Sequence, residues 1–265
     1  MTSPTASLSG IRIVDAVVVA AAVTIAVMSS TGPWLVAPVL ALSAVLLWLR
    51  SQEELESSSW VAAVCWIGVG LVSAVSFGLV WPIPQLLGLG IATFVLRRQG
   101  LALPSWLTRT TPDRPALILA AASVPLTTAA LVAFVASGRT NLEDATEGLE
   151  ELPLWLLPLV GLGFVLANPT VEEVLFRGAL QTMITARTGH PAFGVGIQGF
   201  AFGAIHLNGV PGSWLGMIMA GSWGIVLGVV RHRTESIRLV WVVHVLANIA
   251  IFATVTGLAL RDGVL

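Results

Sequence analysis

The sequence predicts an all-α fold: a polytopic integral membrane bundle of about eight transmembrane helices. Three observations predict it. Of 265 residues, 56% are hydrophobic and only 10% charged, against about 25% charged in an ordinary soluble domain. The mean hydropathy is +0.90. Apolar runs of about 17–20 residues recur along the whole length, each enough to cross roughly 30 Å of hydrocarbon. Most of these runs lack the polar stripe at helical period that a water-soluble helix carries.

The same composition excludes several function classes. A net charge of −1 offers no basic surface for nucleic acid, and the hydropathy points to a lipid bilayer as the surroundings. The single cysteine, Cys65, lies in an apolar stretch. It rules out an intramolecular disulfide and a cysteine-based metal cluster and reads as a small packing residue. Every basic side chain other than histidine is arginine, which reads as compositional bias. Bias and compactness together suggest a bacterial cell membrane.

The chain is read as one integral-membrane domain, 1–265, with N-terminal helices over about 11–136 and a core over about 154–255. After a short polar start, Arg12 precedes an apolar run over residues 13–28. Ser29-Ser30-Thr31-Gly32 is a weak cleavage context and the sequence beyond it is equally membrane-like, so this helix is expected to be retained. Further spans fall near 33–49, 60–78, 80–96, 116–136, 154–186, 192–208, 213–230 and 238–259, eight or nine in all with the first. Trp81-Pro82-Ile83-Pro84 joins two of them tightly, so one is expected to be broken or re-entrant. The run 154–186 is too long for one straight crossing. Asn168-Pro169 is expected to break it, because proline lacks the backbone donor and clashes with the preceding turn. No inverted repeat of the transporter kind is visible.

The arginines supply an orientation. With nine crossings, one face collects Arg12, Arg50, Arg97, Arg98, Arg109, Arg114, Arg187, Arg231, Arg233 and Arg238, and the other holds Arg139 and Arg261. The richer face is expected to be cytoplasmic, with the N-terminus inside and the acidic stretch from Glu143 to Glu151 outside. Gly199 and Gly203 form a G-x-x-x-G, as do Gly224 and Gly228. This spacing lets helices approach closely in lipid, and plain helix packing is enough to explain it.

Three polar islands interrupt the apolar sequence: Glu172-Glu173-x-x-x-Arg177, Phe202-x-x-x-His206 and His244-x-x-x-Asn248. A charge at membrane depth costs roughly 2.5–3.5 kcal/mol on insertion scales, so groups kept there are expected to work together. Glu173 and Arg177 sit four apart and can pair on one helix face, while Glu172 points about 100° away, free to face a cavity and take a proton from water; alternatively, both glutamates belong to one ion-pair network or to an interfacial helix end. Phe202 and His206 share a face near a helix end that Asn208-Gly209-Val210-Pro211-Gly212 terminates. His206 taken alone reads more readily as a satisfied polar residue than as a catalytic one. His244 and Asn248 lie one turn apart in an apolar helix. They form either a polar seam between helices or a pair of donors aimed at a carbonyl oxygen that develops charge.

Depth supports a meeting of two islands. Across a turn near Thr188–Pro191, Glu172 lies about 16 residues before and His206 about 15 after, which at about 1.5 Å per residue are similar depths. His244 is only about six residues past Arg238, roughly 10 Å from its loop. Either that 232–238 loop dips inward or the helices tilt.

In this order the islands resemble the CPBP family, the CAAX-protease and bacteriocin-processing group related to type II CAAX prenyl endopeptidases. Its pattern is E-E-x-x-x-R, F-x-x-x-H and H-x-x-x-N or D, and Phe176-Arg177-Gly178 extends the first match. The resemblance covers about 154–255. It implies an intramembrane endopeptidase acting on a peptide or membrane-protein substrate, in which Glu172 and His206 activate the attacking water. His244 and Asn248 would then stabilise the oxyanion, and Glu173 and Arg177 order the site. A divalent metal such as Zn²⁺, held by Glu172, His206 and His244, is the open cofactor question. No H-E-x-x-H is present and a glutamate base needs no metal. The rival readings are a non-catalytic membrane scaffold or peptide-binding immunity factor of the same family, and a transporter with an ionisable relay.

Overall fold

A computed structural model describes residues 86, 90, 94, 105–108, 112–138, 146, 149–207, 211–263 and 265. The spans expected at 13–30, 33–49 and 60–78, nearly all of 80–96, and Cys65 lie outside the described residues.

Among the described residues every regular element is helical. A short α1 covers Ser105–Thr108 and α2 covers Arg114–Ala136. A 3₁₀ turn at Leu154–Leu156 leads into α3, Leu157–Glu172. The chain then continues without interruption as a π-helix, Glu173–Leu180, and as α4, Gln181–Thr188. α5 is Pro191–Ile205, α6 is Ser213–Thr234 and α7 is Arg238–Asp262. Four stretches are long and apolar enough to cross a membrane: Arg114–Ala136, Leu154–Gly178, Ser213–Thr234 and Arg238–Asp262. Pro191–Ile205 is a shorter apolar helix.

Local chemistry sets the boundaries. Asp113 caps α2, its Oδ1 accepting from the Ala116 N–H at 2.7 Å, with a proline in the first turn where its missing donor costs nothing. Gly189 ends α4 at φ 68°, a left-handed cap that glycine adopts without a Cβ penalty. The turn into α5 therefore falls where the sequence places it. Asn168-Pro169 does not break the helix. α3 runs through Pro169, whose carbonyl accepts the Glu173 N–H, and Thr170 Oγ1 donates back to the Leu166 carbonyl at 2.7 Å. The irregularity falls one turn later, as the wide i→i+5 winding of the π segment, with Gln181 N–H donating to the Phe176 carbonyl.

The core lies where α5 crosses α6, the most extensive helix pairing, with α7 closing on α2 and α3. Gly199 of one glycine pair meets Gly224 of the other here, and Gly203 meets Gly221. A Cβ on Gly203 would stand 2.5 Å from the Met217 carbonyl oxygen and 2.9 Å from Gly221 Cα, and one on Gly224 would stand 3.2 Å from Gly199 Cα. The helices therefore touch backbone to backbone, as small residues permit in lipid. Around this crossing Phe176, Phe202, Trp223, Leu227, Val230, Val240 and Val243 are buried together.

The loop between α6 and α7 dips inward. Ser236 and Ile237 are buried, and the Ile237 N–H donates to the Trp106 carbonyl at 3.0 Å. α1 lies over the loop, Arg238 Nε reaching the Leu107 carbonyl at 2.9 Å. Of the two alternatives left open for the depth of His244, this burial favours the first. On the same side Arg233 Nη2 pairs with Asp113 Oδ2 at 2.5 Å, joining the end of α6 to the start of α2.

Candidate active site

The π segment carries the first island into the core. Glu172, Glu173 and Arg177 are 5%, 0% and 0% exposed. Burial on this scale is tolerated only where the charges are paired. Arg177 Nη1 donates to Glu173 Oε1 at 2.9 Å, the pairing expected from their spacing. Its guanidinium carbon lies 4.3 Å from the centroid of the Phe202 ring, an added cation–π attraction in a desolvated place. Nη2 makes a long contact, 3.5 Å, with the Gly224 carbonyl on α6.

Each member of Phe176-Arg177-Gly178 has a distinct task. Phe176 meets Phe202 edge to face at 5.3 Å and 87°. Gly178 makes room for Trp106 of α1, since a Cβ there would lie 2.7 Å from the indole. The main-chain carbonyl of Arg177 accepts from Arg231 Nε at 3.1 Å. α6 thus satisfies an acceptor on the irregular π winding.

The third island meets the first. His244, 2% exposed, stands between both carboxylates. Its Nδ1 lies 2.6 Å from Glu173 Oε1, and its Nε2 lies 3.3 Å from Glu172 Oε2. The first contact is a strong hydrogen bond, in which Nδ1 donates. The second is an ion-pair approach without hydrogen-bond alignment, and Glu172 Oε2 is left without a hydrogen-bond partner among the described residues. Glu173 Oε1 therefore receives both Arg177 and His244. Asn248, one turn on and 2% exposed, presents a buried Nδ2 with no partner among the described residues. Trp241 Nε1 donates to Thr170 Oγ1 at 2.9 Å and fixes α7 against α3 near this point.

The second island arrives from α5. His206 is the residue that closes the helix, its N–H bonded to the Gly203 carbonyl at 2.9 Å. Its Nδ1 lies 2.8 Å from the Phe202 carbonyl. A carbonyl only accepts, so Nδ1 carries the proton and Nε2 of the neutral ring keeps its lone pair. The ring rests on Phe202 at 4.6 Å, and Phe202 in turn lies 6.0 Å from the His244 ring. The charges of Glu172, His244 and Arg177 all act on His206. Asn208, Gly209 and Val210 lie outside the described residues.

Three buried polar residues that pattern reading did not single out belong to this neighbourhood. Gln181 Nε2 donates to the Gly228 carbonyl at 2.8 Å, and Gln198 Nε2 to the Gly224 carbonyl at 2.7 Å. These bonds stitch the π segment's end and α5 to α6. Trp223 lies 4.7 Å from the His244 ring at 87°. Gln181 sits four residues after Arg177 and Gln198 four before Phe202, so the helical period of the islands already pointed to both. Nothing in the sequence distinguishes Trp223 from the nine other tryptophans.

Among the described residues no three His, Cys, Asp or Glu side chains are grouped to hold a metal ion.

Residues 153–250 match the family model of the type II CAAX prenyl endopeptidase Rce1-like proteins. The matched stretch contains all three islands and every residue of the buried cluster, and it supports a CAAX-protease family assignment. No curated protein and no solved structure matches the chain.

Proposed function

We propose that this chain, an integral membrane protein of CAAX-protease type, is an intramembrane endopeptidase that cleaves peptide bonds with a water activated by Glu172 and His206. The observation that carries the proposal is the His244 imidazole standing between two buried carboxylates, one of them locked to a buried arginine.

Charge balance explains the roles. Two carboxylates, one guanidinium and one imidazole are net neutral when they hold one proton beyond a neutral ring and ionised acids. A low-dielectric site favours that neutral state. With Nδ1 committed to Glu173, the extra proton belongs to the Glu172–His244 side of the cluster. Glu172 Oε2 and His206 Nε2 are the acceptors available to a water. As the water oxygen bonds to the carbonyl carbon, its proton passes to Glu172 and the carbonyl electron pair moves to oxygen. His244 Nε2–H and Asn248 Nδ2–H stabilise the oxyanion. When the C=O bond re-forms, the C–N bond breaks and the leaving amine takes the proton from Glu172. Glu173 and Arg177 hold His244 in the orientation this sequence requires, and no step passes through a metal. The arginine distribution supports a cytoplasmic N-terminus, and composition supports a bacterial cell membrane.

The test is comparative peptidomics of host membranes carrying wild type or Glu172→Ala. A cleavage product missing only in the variant supports hydrolysis and names the substrate. Identical peptide sets, with both proteins present at equal levels, would leave a non-catalytic scaffold as the better reading. Cleavage in detergent-solubilised membranes is expected to survive a strong chelator.

A further inference from the structure

Trp223 contributes something the hydrolytic reading does not yet use. Its side chain is more than nine-tenths buried, at 9% exposed, and its indole Nε1 has no hydrogen-bond partner among the described residues. A buried indole N–H ordinarily finds an acceptor, and a native orphan donor requires an explanation. Bulk alone does not supply one. The neighbours are the rings of Phe202, at 6.2 Å, and His244, at 4.7 Å, and a phenyl group would serve such surroundings without stranding a donor.

The position is informative. The indole stands perpendicular to the imidazole whose Nε2 is 3.3 Å from Glu172 Oε2. It is therefore one ring away from the carboxylate proposed to take the proton from water. A second orphan donor, Asn248 Nδ2, lies one turn from His244 on α7. Two helices, α6 and α7, thus each bring an uncharged N–H, unpartnered among the described residues, to the surroundings of the same imidazole. Orphan donors beside a reacting centre are what an oxygen that gains charge requires.

We infer that Trp223 is a further catalytic residue, its indole N–H donating to the carbonyl oxygen of the scissile bond as that oxygen becomes negative. The inference rests on the hydrolytic reading above. The bond is made to substrate alone, so it adds no proton to the balance and leaves Glu172 as the base.

The experiment compares wild type, Glu172→Ala, Trp223→Phe and a protein carrying benzothienylalanine at 223. The last keeps the bicycle and replaces N–H by sulfur. Each is expressed in host membranes, and the Glu172-dependent product is followed by pulse labelling. Membrane abundance and the thermal midpoint in detergent are measured alongside. Loss of one such donor lowers turnover about 100-fold, so both Trp223 variants are expected to fall by that order with abundance and midpoint unchanged. If Trp223→Phe fails to accumulate, the sulfur isostere alone decides. An isostere that cleaves at the wild-type rate overturns the inference and leaves the Glu172 mechanism standing. A wild type without any Glu172-dependent product overturns both.

Discussion

Each buried charge at the centre of this protein is explained by another within hydrogen-bonding reach, and the two kinds of residue there should respond differently to mutation. Removing Arg177 leaves Glu173 with His244 as its one remaining described partner, and breaking a buried pair by deleting one partner costs about 3–5 kcal/mol. Arg177→Met is therefore expected to lose folded protein, read as a lower thermal midpoint in detergent. Glu172 Oε2 has no hydrogen bond to lose among the described residues. Glu172→Gln should keep abundance and midpoint while cleavage falls by about 10²-fold or more, as expected for loss of a general base. The sequence made the members of this cluster legible because a charge in an apolar run is conspicuous. It did not make their partners legible. Spacing pairs Glu173 with Arg177 but says nothing of His244, which arrives from a helix 71 positions away. Reading the islands in isolation leaves the imidazole between the two acids out of sight.

Helix boundaries followed from periodicity and capping, whereas the departure from regular winding did not. Proline suggested a break at Asn168-Pro169, yet α3 continues and the π segment begins at Glu173. The freed groups of a proline are re-satisfied within a membrane helix. A π winding, in contrast, depends on tertiary partners such as Arg231 on the Arg177 carbonyl, which local sequence does not reveal. The glycine pattern was legible because close approach demands small residues. Gly203→Val would drive a side chain into the main chain of Met217 and Gly221. Overpacking of this kind typically costs about 1–3 kcal/mol, so the midpoint should drop and cleavage should fall with it as α5, which carries His206, is displaced from α6.

At the scale of the molecule, four helical stretches are long and apolar enough to cross a membrane, and two of them, α2 and α6, are tied at their ends by the Asp113–Arg233 pair. The Asp113 carboxyl is held below its usual range by the hydrogen bond from Arg233 first and the Ala116 N–H second. A carboxylate with a depressed folded-state pKa contributes stability that is present above its ordinary value, near 3.8. That stability is lost as pH falls through the lower folded value. Wild type should thus melt higher than Asp113→Asn at neutral pH, and the difference should close in acid below about pH 4. Equal midpoints for both proteins at neutral pH would mean the α2–α6 tie contributes nothing.

The claim on which the account turns is that the cluster around Glu172 splits peptide bonds with water. It is tested most directly by growing cells with wild type or Glu172→Gln in oxygen-18 water and examining the new C-termini in the membrane peptidome. The account predicts a labelled carboxyl terminus in wild type that is absent from the variant, with the variant protein fully retained in the membrane. The same labelled terminus at equal abundance in both would contradict it.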